Sequence, residues 1–158
     1  MKEKSLAIQA GILASAGLTT KIIGFVYRIP MANILGNTGN GIYSVAFGIY
    51  GIVLTLSSYS MPISVSKLVS EKAAVGSKED SIKVFRVAML VSVIVGALAA
   101  MGLYFGADGL AGVYNKTGLE MPLKVLAPTT FIVSVLGCFR GYFQGYGNMV
   151  PTALSQII

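Results

Sequence analysis

The first long apolar run, residues 6–35, holds two cations inside a segment with the length and composition of a membrane helix. These cations are Lys21 and Arg28, and residues seven apart return to nearly the same face of an α-helix. Gly17 and Gly24 lie on that face too, so small residues alternate with positive charge. A cation facing lipid at the bilayer centre costs roughly 2.5–3.5 kcal/mol. We therefore expect this face to meet protein or water. Two simpler interpretations stay open, extension of Arg28 to the headgroups and packing of Lys21 in an interior.

The composition is that of a membrane protein. Of the 158 residues, 54% are hydrophobic and 11% are charged, whereas about 25% of the residues in an ordinary soluble domain are charged. We therefore predict an all-α integral membrane protein, with the net charge of +6 marking cytoplasmic loops rather than a nucleic-acid site. The sequence has no histidine and one cysteine, Cys138, so it cannot build a His/Cys metal site or an internal disulfide. Without a nucleophile–base pair either, we expect no enzyme activity, no metal and no cofactor.

Hydropathy and turn residues predict four transmembrane helices and the start of a fifth, at about 6–29, 42–66, 87–107, 123–144 and 151–158. The last segment reaches about 12 Å, far less than a bilayer. We therefore expect residues 1–158 to be the N-terminal part of one polytopic membrane domain. Lys2 and Lys4 precede the first helix and predict a cytoplasmic N-terminus. A cleavable signal peptide is the weaker interpretation, because the apolar run continues past the cleavage-like residues 14–16.

Prolines and polar residues interrupt the first two predicted helices. Ser57, Tyr59 and Pro62 favour a second helix that bends and lines a polar cavity, since hydroxyls can satisfy backbone groups that a proline frees. Close packing by small residues is the equally common alternative. Pro30 is expected to kink or redirect the outer end of the first helix, because it lacks an N–H and crowds the preceding turn.

The fourth predicted helix carries a pattern of small residues. Gly137, Gly141 and Gly145 fall four apart, a spacing that lets another helix backbone approach closely. Arg140 lies on the same helix near its cytoplasmic end and is a further candidate for a substrate cavity.

The connecting segments predict the orientation. Residues 67–86 contain five cations against three acidic residues, which favours a cytoplasmic loop, and residues 108–124 carry balanced charge, as an external loop does. Within the first of these, Ser77 followed by Asp80 predicts a helix N-cap. Residues 36–41, rich in glycine and asparagine, predict a tight turn between two antiparallel helices.

Four stretches of the sequence resemble one membrane family. The stretch 140–156, RGYFQGYGNMVPTALSQ, is similar to the fourth-to-fifth helix junction of the SpoVB and polysaccharide-flippase family. Residues 24–30 and 34–43 resemble its first helix and turn, and residues 61–71 resemble the end of its second helix. The family belongs to the MOP exporter superfamily, which includes the MurJ-type lipid II flippases.

The resemblance implies the first-lobe part of a MOP/MATE-like two-lobed helical bundle, with a central cavity that opens alternately to each side. It implies a cargo of polyprenyl-pyrophosphate-linked oligosaccharide or peptidoglycan precursor, moved across the cytoplasmic membrane for polysaccharide, cell-wall or spore-cortex synthesis. The expected partners are this lipid-linked sugar, membrane lipids and the C-terminal lobe of the same protein. MurJ-type members use a first-helix arginine near the position of Arg28. They follow it with an acid where this chain has Ile29, which favours a SpoVB-like or generic oligosaccharide-lipid flippase.

Cations and hydroxyls inside a membrane suit such a cargo, because a buried pyrophosphate needs positive charge to offset its desolvation. The candidate cavity residues are therefore Lys21, Arg28 and Arg140, with Ser57 and Tyr59 as donors to sugar hydroxyls.

Three alternatives stay open. A MATE-type drug/cation antiporter needs an intramembrane carboxylate, whereas Asp108 and Glu120 fall in a loop. A non-transporting membrane partner in spore or wall assembly would tolerate neutral residues at the two first-helix cations. An inactive membrane fragment is the third alternative.

Overall fold

The structure, a computed structural model, describes the backbone of residues 2–157 and the side chains of residues 7–57 and 59–157. Within those residues it is helical, with no strand, which confirms the all-α membrane prediction. The helices are α1 (Lys2–Leu54), α2 (Ser60–Ala74), α3 (Lys78–Val113), α4 (Glu120–Gly145) and α5 (Val150–Ile157), with a π-helical turn at Thr55–Tyr59 between α1 and α2.

Three helical stretches in the described residues are long and apolar enough to cross a membrane. Two of them, α3 and α4, contain the predicted spans 87–107 and 123–144. The third, Ala7–Ala74, is 68 residues long and combines the first two predicted spans, which sequence analysis separated by a turn. A straight helix of that length would extend about 100 Å, more than twice the thickness of a bilayer. The position of its bend therefore decides the shape of this part of the protein.

The bend lies at Gly36, not over the six residues predicted to form a turn. Gly36 has φ 62° and ψ −172°, a backbone combination that is essentially restricted to glycine. Across it, the Asn40 side-chain amide donates to the Ala32 carbonyl over 2.9 Å. Eight residues of straight helix would separate these positions by about 12 Å. The chain therefore turns sharply here, and we call residues 7–35 the first arm and residues 37–54 the second arm.

The backbone stays helical at Pro30, where the sequence predicted a kink. The sharp change of direction lies six residues later, at Gly36. Between the second arm and α2, hydroxyl side chains bond back to carbonyls one turn earlier. Thr55 Oγ1 donates to the Gly51 carbonyl over 2.8 Å, and Ser57 Oγ donates to the Val53 carbonyl over 2.7 Å. Such bonds loosen and bend helices, and here they accompany the π-helical turn.

Two clusters of buried side chains hold the helices together. One joins the second arm to the C-terminal half of α3 and the N-terminal half of α4 and includes Ile49, Leu103 and Leu123. The other joins α2, through Val65 and Val69, to the N-terminal half of α3 and the C-terminal half of α4. The described residues of the first arm belong to neither cluster.

Glycines allow α4 to approach α2 closely. A Cβ atom on Gly141 would lie 2.7 Å from the Pro62 carbonyl oxygen and 2.8 Å from Val65 Cβ. A Cβ on Gly145 would lie 2.7 Å from Val69 Cβ. All three distances are shorter than real Cβ contacts, so the spacing of small residues fits a contact between these two helices.

Replacing Gly141 by alanine is expected to lower the free energy of unfolding by about 1–3 kcal/mol, because the added methyl overpacks the α2–α4 contact. Thermal unfolding in detergent measures the change. Gly106→Ala in α3 is the matched control, since nothing lies within 4 Å of its Cβ position. Equal stability of the two variants would show that this contact can relax.

Replacing Gly36 by alanine is expected to lower the free energy of unfolding by about 1–3 kcal/mol, because an L-residue is strained at this backbone conformation. The control is Gly51→Ala, a helical position with nothing within 4 Å of the new methyl. Differential scanning fluorimetry of both purified proteins compares the costs. A Gly36→Ala protein as stable as the control would contradict the bend.

Candidate functional site

The bend opens a cleft of about 540 Å³ between the two arms of α1. On each arm the lining residues recur every three or four positions, as residues on one helix face do. The lining residues are Gly24, Tyr27, Arg28 and Met31 from the first arm and Tyr43, Ser44, Phe47 and Gly48 from the second. Its volume lies within the range of small-molecule sites.

Arg28 is the cation of this cleft. Its side chain is exposed, and among the described residues no acid lies within ion-pair distance of its guanidinium and no hydrogen bond engages it. Hydroxyls of Tyr27, Tyr43 and Ser44 line the same space. A guanidinium offers five N–H donors in a fork that matches phosphate or carboxylate oxygens. The cleft can therefore hold an anionic group together with a hydroxylated one.

Aromatic rings form one wall of the cleft. The rings of Tyr43 and Phe47 have centroids 5.1 Å apart at an interplanar angle of 33°, and Phe47 meets Tyr50 edge-on at 5.8 Å. Tyr50 is buried in the same core cluster as Ile49 and Leu103, which fixes the position of this row of rings. Sequence analysis selected none of these aromatic residues for the site. The only signal was their spacing of three and four residues, which places them on one helix face.

The remaining first-arm candidates do not line the cleft. Lys21 is exposed, one helical turn before Gly24 on the same face, and it is not among the lining residues. Gly17 is half-buried, close to the part of the first arm that contacts α5. The structure thus places Gly24 and Arg28 together in the cleft, and neither Lys21 nor Gly17 is among the residues that line it.

Ser57 and Tyr59 do not join Arg28. Ser57 is buried and lines a separate groove of about 430 Å³ between the second arm and α3, among apolar side chains. Tyr59 is 59% exposed at the end of the π-helical turn. Neither side chain lines the cleft between the arms.

Arg140 is half-buried between α4 and α5. Its Nε donates to Ser155 Oγ over 2.8 Å, and its Nη2 donates to the Ser155 carbonyl over 2.8 Å. The structure therefore places this arginine in a contact between helices. Gly137, one turn earlier on α4, is buried.

Metal-binding side chains do not gather in the described part of the chain, where no group of three His, Cys, Asp or Glu residues could hold an ion. The carboxylate of Asp108 pairs with Lys124, whose Nζ lies 2.7 Å and 3.0 Å from its two oxygens. This ion pair links the C-terminal end of α3 to the start of α4.

The sequence of this chain is similar to those of known proteins. A family model described as "Polysaccharide biosynthesis protein" matches residues 6–158. The chain is 29% identical over 148 residues to Stage V sporulation protein B of Bacillus subtilis, covering 93% of this chain and 29% of that protein. It is 29% identical over 156 residues to Lipid II flippase MurJ of the same organism, with the same coverage of each.

A third relative, the uncharacterized membrane protein YabM of Bacillus subtilis, is 32% identical over 148 residues, which are 94% of this chain and 27% of that protein. The chain therefore spans less than one third of the length of each of these relatives. No solved structure gives a significant match.

Proposed function

We propose, since this chain belongs to the polysaccharide biosynthesis protein family, that it forms part of a flippase for lipid-linked sugars in the cytoplasmic membrane. One relative carries the name of a lipid II flippase and another that of a sporulation protein. Three helical stretches in the described residues are long and apolar enough to cross a membrane, as a transporter requires.

The single observation that carries the proposal is the position of Arg28 in the cleft between the arms. In an apolar helix a cation costs free energy, and Arg28 has neither an acid partner nor a hydrogen bond among the described side chains. A pyrophosphate oxygen of a polyprenyl-linked sugar would complete its hydrogen bonds. Lys21, one helical turn before the lining residue Gly24, would add positive charge near this group.

The other lining groups suit the sugar. Tyr27, Tyr43 and Ser44 supply hydroxyls that donate and accept hydrogen bonds. The Tyr43–Phe47 wall supplies an apolar surface for the carbon face of a sugar ring. No carboxylate lines this cleft, so the cleft itself offers no proton- or sodium-coupling acid of the kind that a drug/cation antiporter needs.

The first arm also points to a larger assembly. All ten residues from 21 to 30 are exposed, including Ile22, Phe25 and Val26. Lipid and a second lobe of the same transporter would cover this apolar surface. We propose that the charge excess of residues 67–86 places that segment, and the N-terminus two membrane crossings earlier, in the cytoplasm.

Arg28→Ala is expected to lower flipping of a polyprenyl-pyrophosphate-linked sugar at least about tenfold, because one charged hydrogen-bond partner of the cargo is lost. Arg28→Lys should retain part of the activity, since it keeps the charge but not the fork. The assay reconstitutes the protein that carries this chain in vesicles and follows protection of a fluorescent cargo.

The matched control for that assay is Arg86→Ala, which removes an exposed arginine of α3 far from the cleft. Equal amounts of each variant must reach the vesicles. Flipping by Arg28→Ala at the rate of the Arg86→Ala control would refute the role of the cleft.

A cysteine at Val75, 83% exposed between α2 and α3, is expected to react with a membrane-impermeant maleimide only after cells are opened. The native Cys138 is fully buried and gives little background. A cysteine at Thr117, between α3 and α4, should react in intact cells. The reverse pattern would overturn the proposed orientation.

A further inference from the structure

Arg140 makes its two hydrogen bonds to a single residue of the neighbouring helix. One goes to the Ser155 hydroxyl and the other to the Ser155 carbonyl, each over 2.8 Å. Ser155 Oγ in turn donates to the Thr152 carbonyl over 2.8 Å. Gln144, one turn further along α4, donates to the Thr152 hydroxyl over 3.3 Å. Bonds from a charged fork are stronger and more directional than neutral ones, so Arg140 fixes α5 against α4.

The opposite side of α5 contacts the first arm of α1. Thr20 Oγ1 donates to the Gln156 carbonyl over 3.0 Å, and the Met149 N–H at the start of α5 donates to Gln9 Oε1 over 2.9 Å. Ala16 and Ala153 are 4% and 5% exposed. The short helix α5 therefore lies between the first arm and α4.

The first arm is otherwise loosely held. Its residues 21–30 are all exposed, and its described side chains take no part in the two core clusters. At its outer end the backbone turns at Gly36, where a single residue joins it to the well-packed second arm. Two features thus set its direction, the bend at Gly36 and the contact with α5.

We propose that Arg140 is a positioning residue, which acts through α5 to set the angle of the first arm and the width of the cleft that contains Arg28. This inference rests on the proposed function only for its consequence in transport. The cleft is lined from both arms, so rotation of the first arm about Gly36 changes the distance between Arg28 and the aromatic wall. Releasing Ser155 from Arg140 frees α5 and allows that rotation.

The same contacts argue against direct binding of cargo by Arg140 in this conformation. Its Nε and Nη2 are both engaged by Ser155, and the side chain is half-buried rather than open to a cavity. Arg28, by contrast, faces an open cleft without a partner among the described side chains. In this proposal Arg140 holds α5 against α4, whereas Arg28 binds the ligand.

Spin labels on the two arms test this inference without any transport assay. Cysteines replace Ile23 and Ile52, which are 52% and 63% exposed and lie outside the cleft, in a protein with Cys138→Ser. Double electron–electron resonance then gives the distribution of distances between the arms. Arg140→Ala is expected to raise the population of molecules with a displaced first arm, relative to those at the native distance, about tenfold, because two charged hydrogen bonds are lost.

Two smaller changes address the same contacts from either side of α5. Ser155→Ala removes one of the two acceptors of Arg140 and should displace the arm less than Arg140→Ala does. Thr20→Val removes the bond to the Gln156 carbonyl and should also displace it. The matched control is Thr19→Val, because the Thr19 hydroxyl bonds only to the Ser15 carbonyl of its own helix.

An unchanged distance distribution in Arg140→Ala and Thr20→Val would overturn the inference, even if transport fell. If Arg140→Ala does not give monodisperse protein, Ser155→Ala and Thr20→Val decide by the same criterion. A different result would refute the proposed function. Normal flipping by Arg28→Ala with arm distances that still depend on Arg140 would refute the cargo site and keep the positioning role.

Discussion

A single glycine backbone conformation, at Gly36, determines the arrangement of the first 54 residues. A continuous apolar helix from Ala7 to Ala74 would extend far beyond a bilayer. At φ 62° and ψ −172° the chain turns instead, and the two arms face each other across the cleft. The site follows from this turn, because residues such as Arg28 and Ser44, 16 positions apart along the sequence, line one space.

Polar groups in the apolar bundle are satisfied in different ways, and the contrast identifies the candidate site. Hydroxyls such as Ser57 bond to carbonyls of their own helix, and Arg140 bonds to α5. These groups have partners within the protein and serve its structure. Arg28 has none among the described side chains and faces open space. Because an unpaired charge in an apolar helix is costly inside a membrane, we propose that a ligand pairs with Arg28.

The sequence predicted the membrane class, the apolar helices and the shared face of Gly24 and Arg28, because hydropathy and helical periodicity are local properties. It placed the reversal over residues 36–41, whereas the helix resumes directly after Gly36, since asparagine and threonine tolerate helix as well as turn. It grouped Ser57 and Tyr59 with Arg28, although the π-helical turn directs Ser57 into a different groove. It also identified the small-residue pattern at Gly141 without its partner, since packing of α4 against α2 depends on contacts distant in sequence.

The most direct test of the cargo site is photocrosslinking from Phe47, which lines the cleft and is 48% exposed. A photoreactive phenylalanine analogue at this position, with a radiolabelled polyprenyl-pyrophosphate-linked sugar, should give a labelled protein. Arg28→Ala should abolish the label. The same analogue at Phe105, 73% exposed on α3, controls for contact with bulk lipid. Equal labelling at Phe47 and Phe105, unaffected by Arg28→Ala, would contradict a cargo site between the two arms.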